Sequence, residues 1–255
     1  MSINFLIILI TGIFIGGMAG YLGSLMLSRK MTIVVDPLSH LALPGVALAL
    51  IFGKDISLGA FLFLLVGTFL IWFLEQKTKL PTETIIAILF SISLAVTFLF
   101  LEEHEIEEAL VGDISKISPL AGIFTIAICL FVFFLLQRIY QKLLLISVSD
   151  DLAKAEGINI KKYQFLYLLI ISIIVALGVR FVGGLLVAGL TALPVASAKN
   201  FSKNLKSYKF LSSFFGAISA ILGISIFKLT NFSVGPLIII SSFIIFLISI
   251  IFKKS

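Results

Sequence analysis

Apolar runs dominate the chain and break only where charge, proline or clustered glycine interrupts them. They cover residues 3–27, 38–52, 56–74, 84–101, 118–137, 163–179, 181–198, 210–227 and 232–252. Most lie near the ~20 residues needed to cross a bilayer core as a helix. The runs are continuous and rich in Leu, Ile and Phe, with none of the short apolar–polar alternation that marks a transmembrane barrel. The pattern predicts an all-α, polytopic transmembrane bundle of eight to nine helices. The second run is short and carries Pro44–Gly45, and the sixth and seventh are joined by a tight turn at Arg180, so one segment is open to a re-entrant reading. The longest polar stretch, Arg138 to Lys162, is too small for an appended soluble domain, and the expected organisation is a single transmembrane domain over 1–255. The opening Met1-Ser-Ile-Asn-Phe5 lacks the basic start of a cleaved signal and reads as part of a retained first helix.

Composition sharpens this picture. The chain is 60% hydrophobic and 13% charged, with a mean hydropathy of +1.22, against about 25% charged residues in ordinary soluble proteins. The net charge of +6 does not point to nucleic acid, because the basic residues gather in alternate loops. Cytoplasmic loops are enriched in Lys and Arg. With the amino terminus outside, the carboxyl terminus inside and nine crossings, only Lys54, Lys116, Arg180 and Lys228 of the 19 basic residues fall outside. The same orientation places Glu102, Glu103, His104, Glu105, Glu107 and Glu108 on the outer side. They form either a solvated acidic loop or an electrostatic attractor for cations at a pore mouth. Cys129, alone in an apolar run, cannot form a disulfide within the chain and reads as a small apolar filler.

Candidate chemistry sits in the second run. Asp36 and His40 are four residues apart, so on a helix their side chains share a face. A carboxylate with an imidazole suits zinc, manganese or ferrous iron, although two ligands do not complete a shell. Pro44 has no N–H and its ring clashes with the carbonyl four residues back, which belongs to His40. A kink is therefore expected at Pro44–Gly45, with a freed carbonyl facing a pathway. The plainer alternative makes Asp36 the N-cap of a helix whose first position is Pro37, and His40 a partner of a neighbouring helix. Gly12, Gly16, Gly17 and Gly20 have the small-residue spacing of close helix packing.

In the loop after the fifth run, Ser149 or Asp150 can cap a short helix that Gly157 ends in the left-handed conformation. Ala153 and Ala155 would let that helix enter a groove on another protein, whereas the bland alternative is a solvated connector. The stretch Asp151-Leu-Ala-Lys-Ala-Glu-Gly157-Ile158 resembles the coupling helix of ABC-type permeases of bacterial zinc and manganese uptake systems. Three more stretches are similar to that family in the same order: Asp36-Pro-Leu-Ser-His40-Leu-Ala-Leu-Pro44-Gly45-Val-Ala-Leu, Gly184-Leu-Leu-Val-Ala-Gly-Leu-Thr-Ala-Leu-Pro194-Val-Ala196-Ser-Ala198, and Ser233-Val-Gly235-Pro236. Two local departures, Val34-Val35 before Asp36 and Glu83-Thr-Ile-Ile-Ala, leave the register intact.

The resemblance implies a type II importer permease with a cobalamin-importer-like fold in the bacterial cytoplasmic (inner) membrane. It implies a second permease copy, a cytoplasmic ATPase dimer and an extracytoplasmic metal-binding protein as partners. The transported metal would pass Asp36 and His40, with no permanently bound cofactor. Asp151, Leu152, Ala153, Ala155, Gly157 and Ile158 would meet the ATPase, and Pro194 would serve structure or gating. The chain itself carries no Gly-x-x-x-x-Gly-Lys-Ser/Thr loop for ATP, and no His-Glu-x-x-His for an intramembrane protease. A cation channel or secondary transporter not coupled to an ATPase is the alternative that polytopic composition leaves standing.

Overall fold

Helices form in the order that the apolar runs predict, and the departures fall where proline and glycine interrupt them. The computed structural model describes residues 3–29, 31–54, 56–100, 118–184, 186–230 and 232–252. Its helices are α1 (Ile3–Ser28), α2 (Val35–Leu41), α3 (Leu43–Ile51), α4 (Ile56–Thr78), α5 (Thr82–Phe100), α6 (Pro119–Val148), α7 (Asp150–Ala155), α8 (Ile160–Val182), α9 (Val187–Phe201), α10 (Leu205–Thr230) and α11 (Val234–Ile251), with a 3-10 turn at Thr32–Val34. There is no strand among the described residues. Among the described residues, seven helices (α1, α4, α5, α6, α8, α10 and α11) are long and apolar enough to cross a bilayer.

The other two expected spans are shorter helices. The run 38–52 is divided at Ala42 into α2 and α3. Pro44 falls in the first turn of α3, where its missing N–H removes no bond from α3 itself and leaves only the preceding turn of α2 short of a donor. α3 starts with the Val46 N–H donating to the Ala42 carbonyl at 3.1 Å. The turn expected at Arg180 forms further along. α8 continues through Arg180 to Val182 and is closed by Gly183 at φ +93°, a value glycine adopts without a Cβ clash. α9 then has 15 residues. Its Pro194 is buried inside a continuous helix, so this proline does not divide its segment as Pro44 does. α6 also outruns its expected end at residue 137 and reaches Val148.

Close helix approach holds the bundle together, as apolar burial alone cannot discriminate partners in lipid. α1 lies against α10, where a Cβ on Gly16 would run into the Gly216 carbonyl and one on Gly20 into the Ser212 carbonyl. The same relation pairs Gly45 of α3 with Gly59 of α4. Gly45 is thus a packing residue between two helices, and the division of the run falls to Pro44. Leu22, Leu25, Ile170, Ile171 and Val175 are buried at the centre, whereas Leu62, Phe131, Phe134 and Phe210 face outward. An apolar outer surface is what a lipid-facing helix requires.

Charge sorts the two ends. Arg29 stacks 4.7 Å from the Tyr167 ring near the start of α8, Lys142 Nζ donates to the Tyr163 hydroxyl at 2.7 Å, and Lys199 and Lys203 line a recess with Leu27 and Ser28. At the opposite end Lys228 lies 4.7 Å over Phe5.

Candidate functional site

Asp36 and His40 occupy successive turns of α2, and His40 Nε2 lies 4.0 Å from Asp36 Oδ1. The helix starts at Val35 with Val34 as the cap residue, and no side chain caps it. Asp36 is therefore not the N-cap, and its carboxylate, 52% exposed, is free to face a ligand, while the His40 side chain is only 11% exposed. Donors at about 2.1 Å from a tetrahedral metal stand about 3.4 Å apart, so a small rotation of the exposed carboxylate brings the pair to metal-binding distance. Among the described residues no third His, Cys, Asp or Glu joins them. Two protein ligands leave the rest of a shell to water or to another chain.

Three neighbours that the sequence pattern did not single out hold this turn. The fully buried Ser39 Oγ lies 2.7 Å from both the Asp36 and the Gly184 carbonyl oxygens, which share its one hydrogen, and so joins α2 to the turn between α8 and α9. Ser93 of α5 donates to the His40 carbonyl at 3.1 Å. That carbonyl has no N–H four residues on, because Pro44 lacks one; the Ala42 N–H turns back toward it and Ser93 reaches it from a neighbouring helix, so it does not face an open pathway as expected. The Phe90 ring meets the His40 imidazole edge-on at 5.4 Å. The proline signalled an orphaned acceptor, but several hydroxyls in the apolar runs could have supplied its donor.

α7 forms a separate candidate surface at the basic end. The Ser149 hydroxyl accepts from Leu152 N, and Gly157 at φ +70° ends the helix. The Gly157 N–H reaches the Lys154 carbonyl at 2.9 Å and the Ile158 N–H reaches the Ala153 carbonyl at 2.9 Å, which satisfies the last turn. Asp151, Leu152, Lys154, Ala155 and Glu156 are exposed, and Asp151 and Lys154 lie 3.5 Å apart. Ala153 is fully buried and Ile158 is partly buried against the core. These two anchor the helix to its own protein, so the expectation that Ala153 enters a groove on a partner is corrected: its methyl is spent on intramolecular packing. Behind α7, Glu75 Oε1 accepts from Thr82 at 2.6 Å and from Gln164 at 2.5 Å. Burial lowers the pKa of Arg29 from its ordinary value, against the opposing effect of Tyr167, Asp150 and Glu75. The acidic run Glu102, Glu103, His104, Glu105, Glu107 and Glu108 lies outside the described residues.

Comparison with known proteins adds a family to this geometry. Residues 3–253 match the ABC 3 transport family. The chain belongs to that family. It is 31% identical over 245 residues to the manganese import system permease protein ScaB of Streptococcus parasanguinis, covering 94% of this chain and 88% of the relative. It is 30% identical to the high-affinity zinc uptake system membrane protein ZnuB of Haemophilus influenzae, over 96% of each chain. Among solved structures, a chain of PsaBC from Streptococcus pneumoniae in complex with Fab superposes with a TM-score of 0.81 at 30% identity, covering 95% of this chain and 89% of that one. The inward-facing conformation of a putative metal-chelate type ABC transporter shares the fold at a TM-score of 0.77 and 19% identity, over 96% of this chain and 85% of that one.

Seen as an ABC 3 family member, the chain is a multi-pass membrane protein with an importer-permease fold. Three of its four family-like stretches meet in space. Ser39 from the first bonds Gly184 in the second, and Gly235 from the last sits so close to the Val182 carbonyl beside that turn that a Cβ would collide with it. The remaining stretch, α7, lies apart at the basic end.

Proposed function

We infer that this chain is the membrane-spanning permease subunit of an ATP-driven importer that takes up a divalent transition metal: zinc, manganese or ferrous iron. The Asp36–His40 pair carries the reading. An exposed carboxylate beside a largely buried imidazole, on adjacent turns of a divided helix within an apolar bundle, is the arrangement expected where a membrane transporter passes an ion. Two protein ligands give a transient station suited to cargo, since a full cage would hold the ion. Relatives named for manganese import and zinc uptake support the metal class.

In this reading residues 1–255 form one permease domain that pairs with a second copy in a bacterial inner membrane. The exposed side of α7, with Asp151, Leu152, Ala155 and Gly157, meets a separate cytoplasmic ATPase, and an extracytoplasmic protein delivers the metal. Basic residues clustered at the α7 end support a cytoplasmic position for that end. The amino terminus is then outside and the carboxyl terminus inside. Pro194 serves structure or gating. Uptake of Zn2+ and Mn2+ into liposomes carrying the permease and its ATPase tests the reading. Asp36→Ala or His40→Ala abolishes uptake while the complex still assembles; wild-type uptake in both variants would exclude the site.

A further inference from the structure

We propose that Ser93 of α5 is a positioning residue for His40: its hydroxyl holds the carbonyl that Pro44 leaves without its regular helical donor and so sets where the imidazole stands. This rests on the metal reading of Asp36 and His40 and identifies what keeps that site in shape.

The hydrogen bond is unusual for its surroundings. A serine or threonine in an apolar helix commonly gives its one hydrogen to a carbonyl three or four residues back in the same helix. Ser91 donates to Ala87 at 3.0 Å and Thr97 to Ser93 at 2.8 Å, both within α5. Ser93, only 4% exposed, reaches across to the His40 main chain. A carbonyl short of donors at this depth is costly; Pro44 cannot supply the N–H four residues on, and the Ala42 N–H that turns back toward it is shared with the Ser39 carbonyl. Ser93 is the side-chain donor found on that oxygen.

A second contact comes from the same side of α5. Phe90, one turn before Ser93, packs its ring edge-on against the imidazole at 5.4 Å. Metal-binding histidines are usually oriented by a hydrogen bond to the ring nitrogen that does not face the metal. Here Nδ1 is buried with no partner among the described residues, while Nε2 is the nitrogen placed toward Asp36. Orientation therefore falls to the main-chain hold by Ser93 and the ring contact from Phe90. On the other side, Ser39, the residue before His40, is tied to the Gly184 carbonyl. The imidazole is set by α5, and any displacement of α5 moves it.

Titration of the nanodisc-embedded full chain, purified with its ATPase, with Zn2+ alone tests the proposal. Loss of one such hydrogen bond, about 1 kcal/mol or somewhat more, weakens Zn2+ binding roughly fivefold to tenfold in Ser93→Ala. Ser93→Thr keeps the hydroxyl and wild-type affinity, whereas Ser93→Val, matching threonine in shape without the donor, reproduces the alanine defect. Ser91→Ala, whose hydroxyl serves its own helix, leaves affinity unchanged. Should Ser93→Ala fail to assemble, the Thr–Val comparison decides. Wild-type affinity in Ser93→Ala or Ser93→Val, or a defect as large in Ser93→Thr, overturns the positioning role. His40→Ala separates the two levels. If it keeps wild-type affinity, the metal reading itself fails; if it loses Zn2+ while Ser93→Ala and Ser93→Val do not, only the positioning role fails.

Discussion

Single residues decide whether the two candidate surfaces exist at all. Pro44 is the clearest case, because one missing N–H both ends α2 and creates the acceptor that Ser93 fills. The proline and its consequence for His40 were legible in the sequence, but the donor was not: Ser91, Ser93 and Thr97 share one apolar run, and only the helix crossing selects between them. Ala153 shows the opposite outcome. Its spacing within α7 fits a docking face as well as a buried one, and its burial depends on how α7 lies on α6 and α8. Gly157 was readable because its role is local. At φ +70° an alanine suffers a backbone clash, worth roughly 1–2 kcal/mol. Gly157→Ala should therefore fray α7 and lower co-purification of the ATPase with the permease, while leaving the amount of inserted permease unchanged. Undiminished co-purification would remove α7 from that role.

At the scale of elements, glycines set which helices touch. The spacing of Gly12, Gly16 and Gly20 announces a close-packing face on α1, and its partner is α10 through Gly216 and Ser212. Adding a methyl at Gly16 drives it into the Gly216 main chain, which cannot yield as a flexible side chain does, and overpacking of this kind costs about 1–3 kcal/mol. Gly16→Ala should lower the melting temperature of the purified permease by roughly 2–10 °C. Gly17→Ala, one residue on, comes within 3.3 Å of the Ser213 hydroxyl and otherwise makes ordinary contacts with the Ser213 carbonyl at 3.6 Å and the Ala217 Cβ at 3.8 Å. It should melt at or above the wild-type temperature, since alanine favours the helix by about 1 kcal/mol. Equal melting of the two variants would mean that the α1–α10 crossing is looser than the structure has it.

For the whole molecule the open matter is sidedness, which follows from how many segments cross. α4 returns to the basic end, with Trp72 Nε1 bonding the Lys161 carbonyl at 3.3 Å, so Lys54 before it stands at the opposite end from Lys203. A membrane-impermeant thiol reagent should label Lys54→Cys in intact cells and Lys203→Cys only after permeabilisation. Native Cys129, 2% exposed, stays silent. Labelling of Lys203→Cys in intact cells would invert the orientation, and protection of Lys54→Cys until permeabilisation would make α2–α3 re-entrant. The sequence by itself determined the membrane class, the order of the helices, the break at Pro44, the cap at Gly157 and the Asp36–His40 pair. All of these depend on hydropathy, backbone chemistry or spacing within one or two turns. The tertiary structure alone decided that Ser93, Phe90, Ser39 and Gly184 surround that pair, that Gly45 belongs to a crossing with α4, and that Ala153 faces inward. In lipid an apolar face carries no preference for one neighbour over another, and contacts between distant segments are fixed only when close backbones and single hydrogen bonds choose among them.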